Sequence, residues 1–495
     1  MSPKVLVRVV FAGLLITTLT ACAPIPLQPL GAEQIRAQAS VDRQQVQEGV
    51  QPLGPRLSLE EAIARALKYN LDRRTRQFEE AFALRQFDEV GYDKLPRLMA
   101  SAGYTARSED RTARSIDSVT GQPSLANPSI AQSRSHLLSS LTLSWSLLDY
   151  GLARYSEQQA GDRLMAAAER RRKATHLLVQ DVRVAYWRAA SAQRLRGDVQ
   201  SALALAEEAM ADSRQAEEER LRSPLDTLRY QRQLTENLRL LESIEQELVT
   251  ARFELAALIN APVVQAVTLD ADSDARPGDL LATMGADEME NVALEHNADL
   301  REHLYLRRIS AVELDKMVAR AYPNITVSLG AMRDSDHFLV HPNWAEAGLQ
   351  TGMNLLNLLT LPAQRRSGEA AIRLTEQRRL AAHVALLAQV HVGRVQFSSA
   401  QRQFERTDAL WQLDTRIMDQ VQRRENARAG SKLDRVAAQT TAIISLLRRY
   451  QALAQWHAAA SRLQATLGTD ILPGSADDIG LDELSRQVRE RLLTH

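Results

Sequence analysis

The sequence is short of several features on which other protein classes depend. Its 495 residues include one cysteine, Cys22, so no disulfide can form within a chain and no cysteine-based metal cluster is possible. Its 61 basic and 61 acidic residues cancel, which argues against nucleic acid as a partner, because phosphate binding needs a basic excess. The HExxH, GxSxG, P-loop and glycine-rich dinucleotide motifs are missing. We therefore expect no enzyme, no metal site and no soluble cofactor.

Proline is missing from two long stretches, between Pro128 and Pro224 and between Pro362 and Pro473. We predict one helix over 152–222 and another over 363–429, each about 100 Å long at 1.5 Å per residue. Shorter helices are predicted over 58–93, 224–260, 288–320 and 432–467, so that two short helices laid end to end match one long helix. In the first long helix a packing stripe recurs about every 3.5 residues, at Leu178, Val182, Ala185, Ala189, Ala192, Leu195, Val199, Ala202, Ala206 and Ala209.

Four segments alternate apolar residues with small or polar ones, the period of a β-strand with two different faces. They include Leu98–Ala106, Leu141–Leu147, Ile325–Ala331 and Ala347–Leu355. Alternating segments of about ten residues suit transmembrane strands with one face in lipid, and a half-buried strand of a soluble sheet is the alternative. Four strands cannot close a barrel, and open sheet edges are not tolerated in lipid, so membrane insertion requires several copies.

The chain repeats its own motifs at an offset of 208 positions. SAQR occurs at 191–194 and at 399–402, and Ser-x-Leu-Asp occurs at 223–226 and at 431–434. Each half is predicted to run helix, strand, strand, long helix, turn, helix. We therefore assign a first repeat to 57–270, a second repeat to 271–468, and a C-terminal equatorial tail to 469–495.

The N-terminus reads as a targeting segment. Lys4 and Arg8 accompany an apolar run, Val9–Leu19, that is too short to span a bilayer, which needs about 20 residues. The segment ends in Leu-Thr-Ala-Cys, which resembles the lipobox of bacterial lipoproteins, and an ordinary signal peptide is the alternative. This resemblance implies a signal peptide at 1–21, a covalent lipid such as palmitate on Cys22, and a lipidated tether at 22–56. Ala23, rather than aspartate, after the cysteine favours the outer membrane.

Together these motifs resemble the TolC-like outer-membrane efflux channel family. The resemblance covers about 57–470 and rests on LSLEEAIARALKYN (57–70), LSWSLLDYG (143–151), the SAQR helices and the two Leu-Asp turns. It implies a mainly α fold with a small transmembrane β part. Three chains would form a homotrimer whose 12-stranded β-barrel, with four strands per chain, continues into a long α-helical periplasmic barrel.

The resemblance also implies a function. The chain would be the outer-membrane exit duct of a Gram-negative tripartite efflux system, passively conducting small molecules or drugs. Its partners would be a periplasmic adaptor, an inner-membrane pump of the RND or ABC type, and outer-membrane lipid. The outer-membrane channel of a type I protein secretion system is the runner-up, and a structural periplasmic coiled-coil lipoprotein is an alternative of another class.

The candidate functional residues lie in the two Leu-Asp turns, which the resemblance places at the periplasmic end where the tunnel closes. By motif position the gate candidates are Asp226 and Asp434, with Ser223, Ser431 and Gly430 in the same turns. Gly430 directly precedes Ser431, and position 437 is alanine where some family members have a second aspartate. The turns therefore depart from the family pattern, which puts the gate details in doubt.

Charged residues of opposite sign precede the two turns. Glu217, Glu218 and Glu219 precede the first turn, and Arg423 and Arg424 precede the second. These groups could pair across a closed tip. Two solvated helix faces are the alternative, because exposed ion pairs contribute only about 0–1 kcal/mol each.

Overall fold

The structure, a computed structural model, describes residues 29–123, 128–219, 223–262, 267–270, 277, 280–427, 431–471, 474 and 476–494. The chain divides into two compact units, Met1–Pro52 and Leu53–His495. The described part of the first unit contains one helix, α1 (Ala32–Gln47), with no buried residue. The predicted signal peptide and Cys22 lie outside the described residues, so lipidation stays a prediction.

Besides a short 3-10 helix at Tyr92–Lys94, the described part of the second unit contains eight strands and ten α-helices. In chain order they are β1 (Arg56–Leu57), α2 (Leu59–Tyr69), α3 (Leu71–Gly91), β2 (Arg97–Ala106), β3 (Arg111–Ala113), β4 (Ser129–Gln132), β5 (Ser135–Ser146), α4 (Leu147–Glu218), α5 (Pro224–Leu258), β6 (Thr268–Leu269), α6 (Leu280–Thr283), α7 (Ala286–His296), α8 (Ala298–Ala319), β7 (Asn324–Asp334), β8 (Asn343–Gly352), α9 (Leu356–Asn426), α10 (Lys432–Leu467) and α11 (Leu481–Thr494). Among the helices of the described residues, none combines the length and the apolar character that a membrane crossing needs.

The four predicted strands form one antiparallel sheet in the order β2-β5-β7-β8. Leu98 pairs with Leu143, Leu143 with Leu329, and Leu329 with Ala347. Because paired residues lie on the same face of a sheet, the apolar residues of all four strands share one face, which confirms the predicted alternation. The fourth strand ends at Gly352, three residues before its predicted end, because helix α9 begins at Leu356.

Both long helices start earlier than predicted. Helix α4 begins at Leu147, directly after strand β5, because the Ser146 side chain accepts a hydrogen bond from the Asp149 backbone N–H at 3.0 Å and caps the helix. Helix α9 begins at Leu356 and carries Pro362 within its second turn. All ten positions of the predicted packing stripe in α4 are buried, which confirms that this face packs against other helices.

The short helices flank the long ones in end-to-end pairs. Helix α4 packs against α3 and α8 along one part of its length and against α5 and α10 along another. Helices α8 and α10 also pack against α9, so they lie between the two long helices. This arrangement confirms the prediction that two short helices match one long helix.

Two predicted short helices, 58–93 and 288–320, are each interrupted by an asparagine. The Asn70 carboxamide accepts from the Arg73 N–H at 3.0 Å and donates to the Leu258 carbonyl at 3.1 Å. Asn297 accepts from the Leu300 N–H and donates to the Thr466 carbonyl, both at 3.0 Å. Each asparagine ends one helix, caps the next and joins this junction to the end of α5 or α10. The predictions of uninterrupted helices are therefore wrong at Asn70 and Asn297.

A belt of polar contacts surrounds these junctions. Arg172 of α4 donates to Asp470 at 2.7 Å, to the His296 carbonyl at 2.7 Å and to the Gly468 carbonyl. The buried Arg73 pairs with Asp477 at 3.1 Å, and α11 packs against α2. The segment after α10 thus contacts α2, α3 and α4, and its assignment as an equatorial tail stays a prediction.

Candidate functional site

The candidate site is the end of the helix pairs at which both Leu-Asp turns lie. Helix α4 ends at Glu218 and α5 begins at Pro224, whereas α9 ends at Asn426 and α10 begins at Lys432. The centres of the two turns, 220–222 and 428–430, are outside the described residues, and Gly430 is among them. The flanking residues nevertheless place the other candidate side chains.

In the second turn, Ser431 and Asp434 cap helix α10 reciprocally. The Ser431 hydroxyl accepts from the Asp434 N–H at 3.2 Å. The Asp434 carboxylate in turn accepts from the Ser431 hydroxyl at 2.8 Å and from its N–H at 3.4 Å. This is a capping box, which satisfies donors at the helix N-terminus that would otherwise lack a partner. Asp434 therefore has a local structural role in addition to any role in a pore.

The first turn, although its sequence is similar, is built differently. Ser223 occupies the N-cap position of α5 without a side-chain capping bond, and Pro224 occupies the first helical position. Asp226 is exposed, and among the described residues its ionic contact is with Arg229, one turn along, at 3.9 Å. Leu225 is also exposed. Within the part of the chain that the structure describes, this weak, solvated contact is the one that Asp226 makes to a cation.

Lys432, between the two capping residues of the second turn, joins α10 to α4. Its ammonium group donates to Asp212 at 2.5 Å and to Glu208 at 2.9 Å. The hydrogen bonds to Asp212 and Glu208 raise the pKa of Lys432 above its ordinary value. Leu433 packs beside it on a small buried cluster shared by α4, α5 and α10: Ala206, Ala209, Leu234 and Val436.

The opposite charges near the two turns do not meet within one chain. Glu217 accepts from Gln231 of α5 at 2.8 Å, and Glu219 accepts from Gln215 of its own helix at 2.9 Å. Arg423 and Arg424 are exposed near the end of α9. Among the described residues of a single chain, no ion pair joins the three glutamates to the two arginines. Their pairing across an assembled tip stays a prediction.

The second hairpin has its own ionic contact near this end. Arg435 of α10 lies 3.2 Å from Glu425 of α9. The end of α10 is therefore held from both sides, by Lys432 towards α4 and by Arg435 towards α9. These contacts fix the position of α10 and place charged side chains at this end of the helices.

Within the described residues no group of three or more histidine, aspartate or glutamate side chains could hold a metal ion.

Sequence reasoning singled out the aspartates and missed Lys432. Two signals pointed to this residue. Glu208 and Asp212 are four residues apart, which places both carboxylates on one face of α4. A lysine at the first helical position beside a tight turn is also well placed to reach a neighbouring helix. Only the packing of α10 on α4, however, brings the three groups together.

Comparison with known proteins tests the resemblance at the level of the fold. The outer-membrane channel OprN has a TM-score of 0.61 and 16% identity, covering 83% of this chain and 90% of that one. The Campylobacter jejuni CmeC outer membrane channel has a TM-score of 0.63 and 12% identity, covering 88% and 89%. The outer membrane protein VceC of Vibrio cholerae has a TM-score of 0.60 and 16% identity, covering 83% and 96%.

A scan against protein-family models finds no match, and neither does a search of curated proteins. At these low identities the likeness to solved structures establishes the fold alone. That fold is the one found in TolC-like outer-membrane channels, so the resemblance drawn from the motifs is confirmed.

Proposed function

We propose that this chain, which has the fold of the TolC-like outer-membrane channels, is the exit duct of a tripartite efflux system. Three copies would be anchored in the outer membrane through a lipid on Cys22 and by their strands. They would passively conduct small molecules or drugs delivered by an inner-membrane pump of the RND or ABC type and a periplasmic adaptor. The chain itself would perform no catalysis.

The observation that carries this proposal is the sheet β2-β5-β7-β8. Its four apolar faces coincide, and large apolar side chains on that face are exposed, including Leu98, Leu141, Leu329 and Leu349. In water an exposed apolar face of this size is unfavourable, whereas in a bilayer it is the required lipid-facing surface. The unpaired backbone groups on strands β2 and β8 would need partners there, and further copies of the chain supply them.

The helices support the same assembly. Helix α4, with 72 residues, is about 108 Å long at 1.5 Å per residue, a length suited to a duct that extends far from the membrane. Helices α3 and α9 each expose apolar side chains. These include Phe78 and Phe82 on α3 and Val384, Val392 and Val395 on α9. Neighbouring copies would cover these surfaces and enclose a tunnel.

The two turns are the gate in this proposal. Asp226 would present an exposed carboxylate to the tunnel at each first turn, and Asp434 would do so while it caps α10. Lys432 would hold α10 against α4 in the closed state, because outward movement of either helix breaks its two hydrogen bonds. Charge pairing between Glu217–Glu219 of one copy and Arg423 and Arg424 of another would add to closure.

We also propose that the two halves arose by duplication. The same order of helix, helix, strand, strand, long helix and helix occurs twice. Asn70 and Asn297 make corresponding hydrogen bonds to the ends of α5 and α10. The two turns then diverged, since only the second has a capping box and a lysine contact to α4.

The experiment that tests the proposed function is fractionation followed by gel migration without heating. An outer-membrane trimer that dissociates to a monomer on boiling is the expected result. Recovery of a monomer from the soluble periplasm would contradict the proposal and favour a coiled-coil spacer. Deletion of the gene, tested for drug susceptibility and for loss of a secreted protein, separates drug efflux from type I secretion.

A further inference from the structure

The sheet leaves two edges open, and their geometry specifies how two copies would join. Strands β2 and β8 each have ten residues, Arg97–Ala106 and Asn343–Gly352, and among the described residues each pairs on one side only. Both strands are exposed along nearly their whole length. Strands alternate in direction across the sheet, so β8 of one copy would run antiparallel to β2 of the next.

The three ladders within one chain define which residues lie level with each other. Arg97 pairs with Ser144, Ser144 with Ser328, and Ser328 with Gly348. Gly348 of β8 is therefore level with Arg97 of β2, measured perpendicular to the strands. A closed barrel needs tilted strands, so β8 must meet the next copy's β2 with an offset from this level.

The two faces of the sheet restrict the offset to even numbers. A shift of one residue would bring the lipid-facing side chains of β8 beside the opposite face of β2. Offsets of zero, two, four and six residues per copy place Ala347 opposite Leu98, Ala100, Ala102 and Tyr104, respectively, and all four of these residues lie on its face of the sheet. Odd offsets are excluded because they would place polar residues in the lipid.

Tilt and pairing together select an offset of four. The tilt follows from the ratio of the shift along the strand, about 3.3 Å per residue, to the width of the four strands of one copy, about 4.8 Å per strand. An offset of four residues gives a tilt of about 35°, an offset of two gives about 19°, and an offset of six gives about 46°. Transmembrane barrels have tilts of about 35–45°. An offset of four is also the one at which all ten residues of β8 face all ten residues of β2. Unpaired backbone groups are costly in lipid, so complete pairing decides between four and six.

We infer that β8 of one copy pairs with β2 of the next in the register Gly352↔Arg97 to Asn343↔Ala106. In this register Ala347 faces Ala102 on the lipid side, and Glu346 faces Gly103 on the other side. The inference rests on the proposed trimeric duct and adds the residue-by-residue interface that closes it. The partner is a second copy of this chain.

Paired cysteines test the register directly. Ala347→Cys is combined in turn with Ala100→Cys, Ala102→Cys or Tyr104→Cys, and the outer-membrane protein is oxidised and run on a non-reducing gel. Directly opposite Cβ atoms are about 4.5–5.5 Å apart and diagonal ones about 7–8 Å, whereas a disulfide needs about 3.5–4.5 Å. Within one chain β2 and β8 are separated by two strands, so each disulfide must join different copies.

The register predicts that the pair at 102 and 347 gives several-fold more covalent trimer than the pairs at 100 and 347 or at 104 and 347. A second series of cysteine pairs lies on the other face of the sheet. Opposite residues on the two faces differ in whether they form backbone hydrogen bonds with each other. It combines Glu346→Cys with Ser101→Cys, Gly103→Cys or Thr105→Cys, and Gly103→Cys is expected to cross-link best. Added side chains at Gly103 meet no atom within 4 Å. Each single-cysteine variant serves as a control for background thiols.

The possible outcomes separate the inference from the proposed function. Strongest cross-linking with residue 100 or 104, and with 101 or 105, would overturn the register while leaving the trimeric barrel in place. A heat-modifiable trimer without any β2–β8 cross-link would also overturn the inference. A monomer without cross-links would contradict the proposed function itself.

Discussion

Replacement of Gly468 by alanine is expected to destabilise the helical unit severely. Gly468 ends helix α10 with φ +73°, a left-handed conformation that costs an L-residue with a side chain about 1–2 kcal/mol. A Cβ atom there would lie 2.2 Å from the His296 carbonyl oxygen and 2.9 Å from the Asn297 nitrogen. Both are backbone atoms, so the junction between α7 and α8 or the end of α10 must move.

That movement would disturb contacts that hold this junction. Asn297 donates to the Thr466 carbonyl at 3.0 Å, and Arg172 donates to the His296 carbonyl at 2.7 Å. We expect Gly468→Ala to lower the free energy of unfolding by about 3–5 kcal/mol, since it combines backbone strain with a disrupted buried network. At about 2.1 cal/mol/K per residue over Leu53–His495, the melting temperature would fall by about 3–5 °C.

The assay is thermal unfolding of the purified protein in detergent, followed by circular dichroism at a helical wavelength. Gly197→Ala is the matched control, because Gly197 lies inside helix α4 and an added Cβ meets no atom within 4 Å. The control should be more stable than the parent by up to about 1 kcal/mol, since alanine favours helix. Equal melting temperatures for Gly468→Ala and the parent would refute the reasoning.

Three further predictions concern the turns and the belt. Asp226→Ala and Asp434→Ala should each raise the conductance of the closed trimer in bilayers, but only Asp434→Ala should also lower stability, by about 1 kcal/mol, because it removes the carboxylate that accepts from Ser431 in the capping box; equal effects on stability would contradict the different roles of the two turns. Charge reversal at Arg423 and Arg424 should raise conductance if these residues pair with a neighbouring copy, and unchanged conductance would exclude that pairing. Burial raises the pKa of Asp470, but the hydrogen bonds from His176 and Arg172 outweigh burial and hold that pKa below its ordinary value. Its contribution to stability is therefore complete above about pH 4 and is lost as the pH falls through the depressed pKa, so the melting temperatures of the parent and Asp470→Asn should converge in acid; a difference that is independent of pH would contradict this.

The sequence predicts the repetitive parts of the fold well, because a simple period decides them. Alternation along four short segments was enough to assign the strands and their apolar face, and the paired Leu98, Leu143 and Leu329 confirm the common face. The absence of proline and the alanine-rich stripe were likewise enough to predict the long helices. Such patterns extend over many residues, so single exceptions do not hide them.

The parts that sequence reasoning missed depend on single contacts between distant segments. Asn70 lies within a pattern that reads as a continuous helix, and its bond to the Leu258 carbonyl appears only when α5 packs against this junction. Lys432 gains its role only through Glu208 and Asp212, more than 200 positions earlier in the chain. The two Ser-x-Leu-Asp turns read as equivalents, yet Pro224 and Lys432, at the same position of each motif, give them different structures.

In the function we propose, three copies of this chain form a duct with a closable end. Single-channel recording of the purified trimer in planar bilayers tests it most directly, with the parent compared with Lys432→Gln. Loss of the ammonium group removes the hydrogen bonds to Glu208 and Asp212 in every copy. We expect discrete conductance steps that are larger or longer for Lys432→Gln than for the parent. Equal conductance for the two forms, or a folded Lys432→Gln trimer that inserts into the bilayer and passes no current, would contradict it.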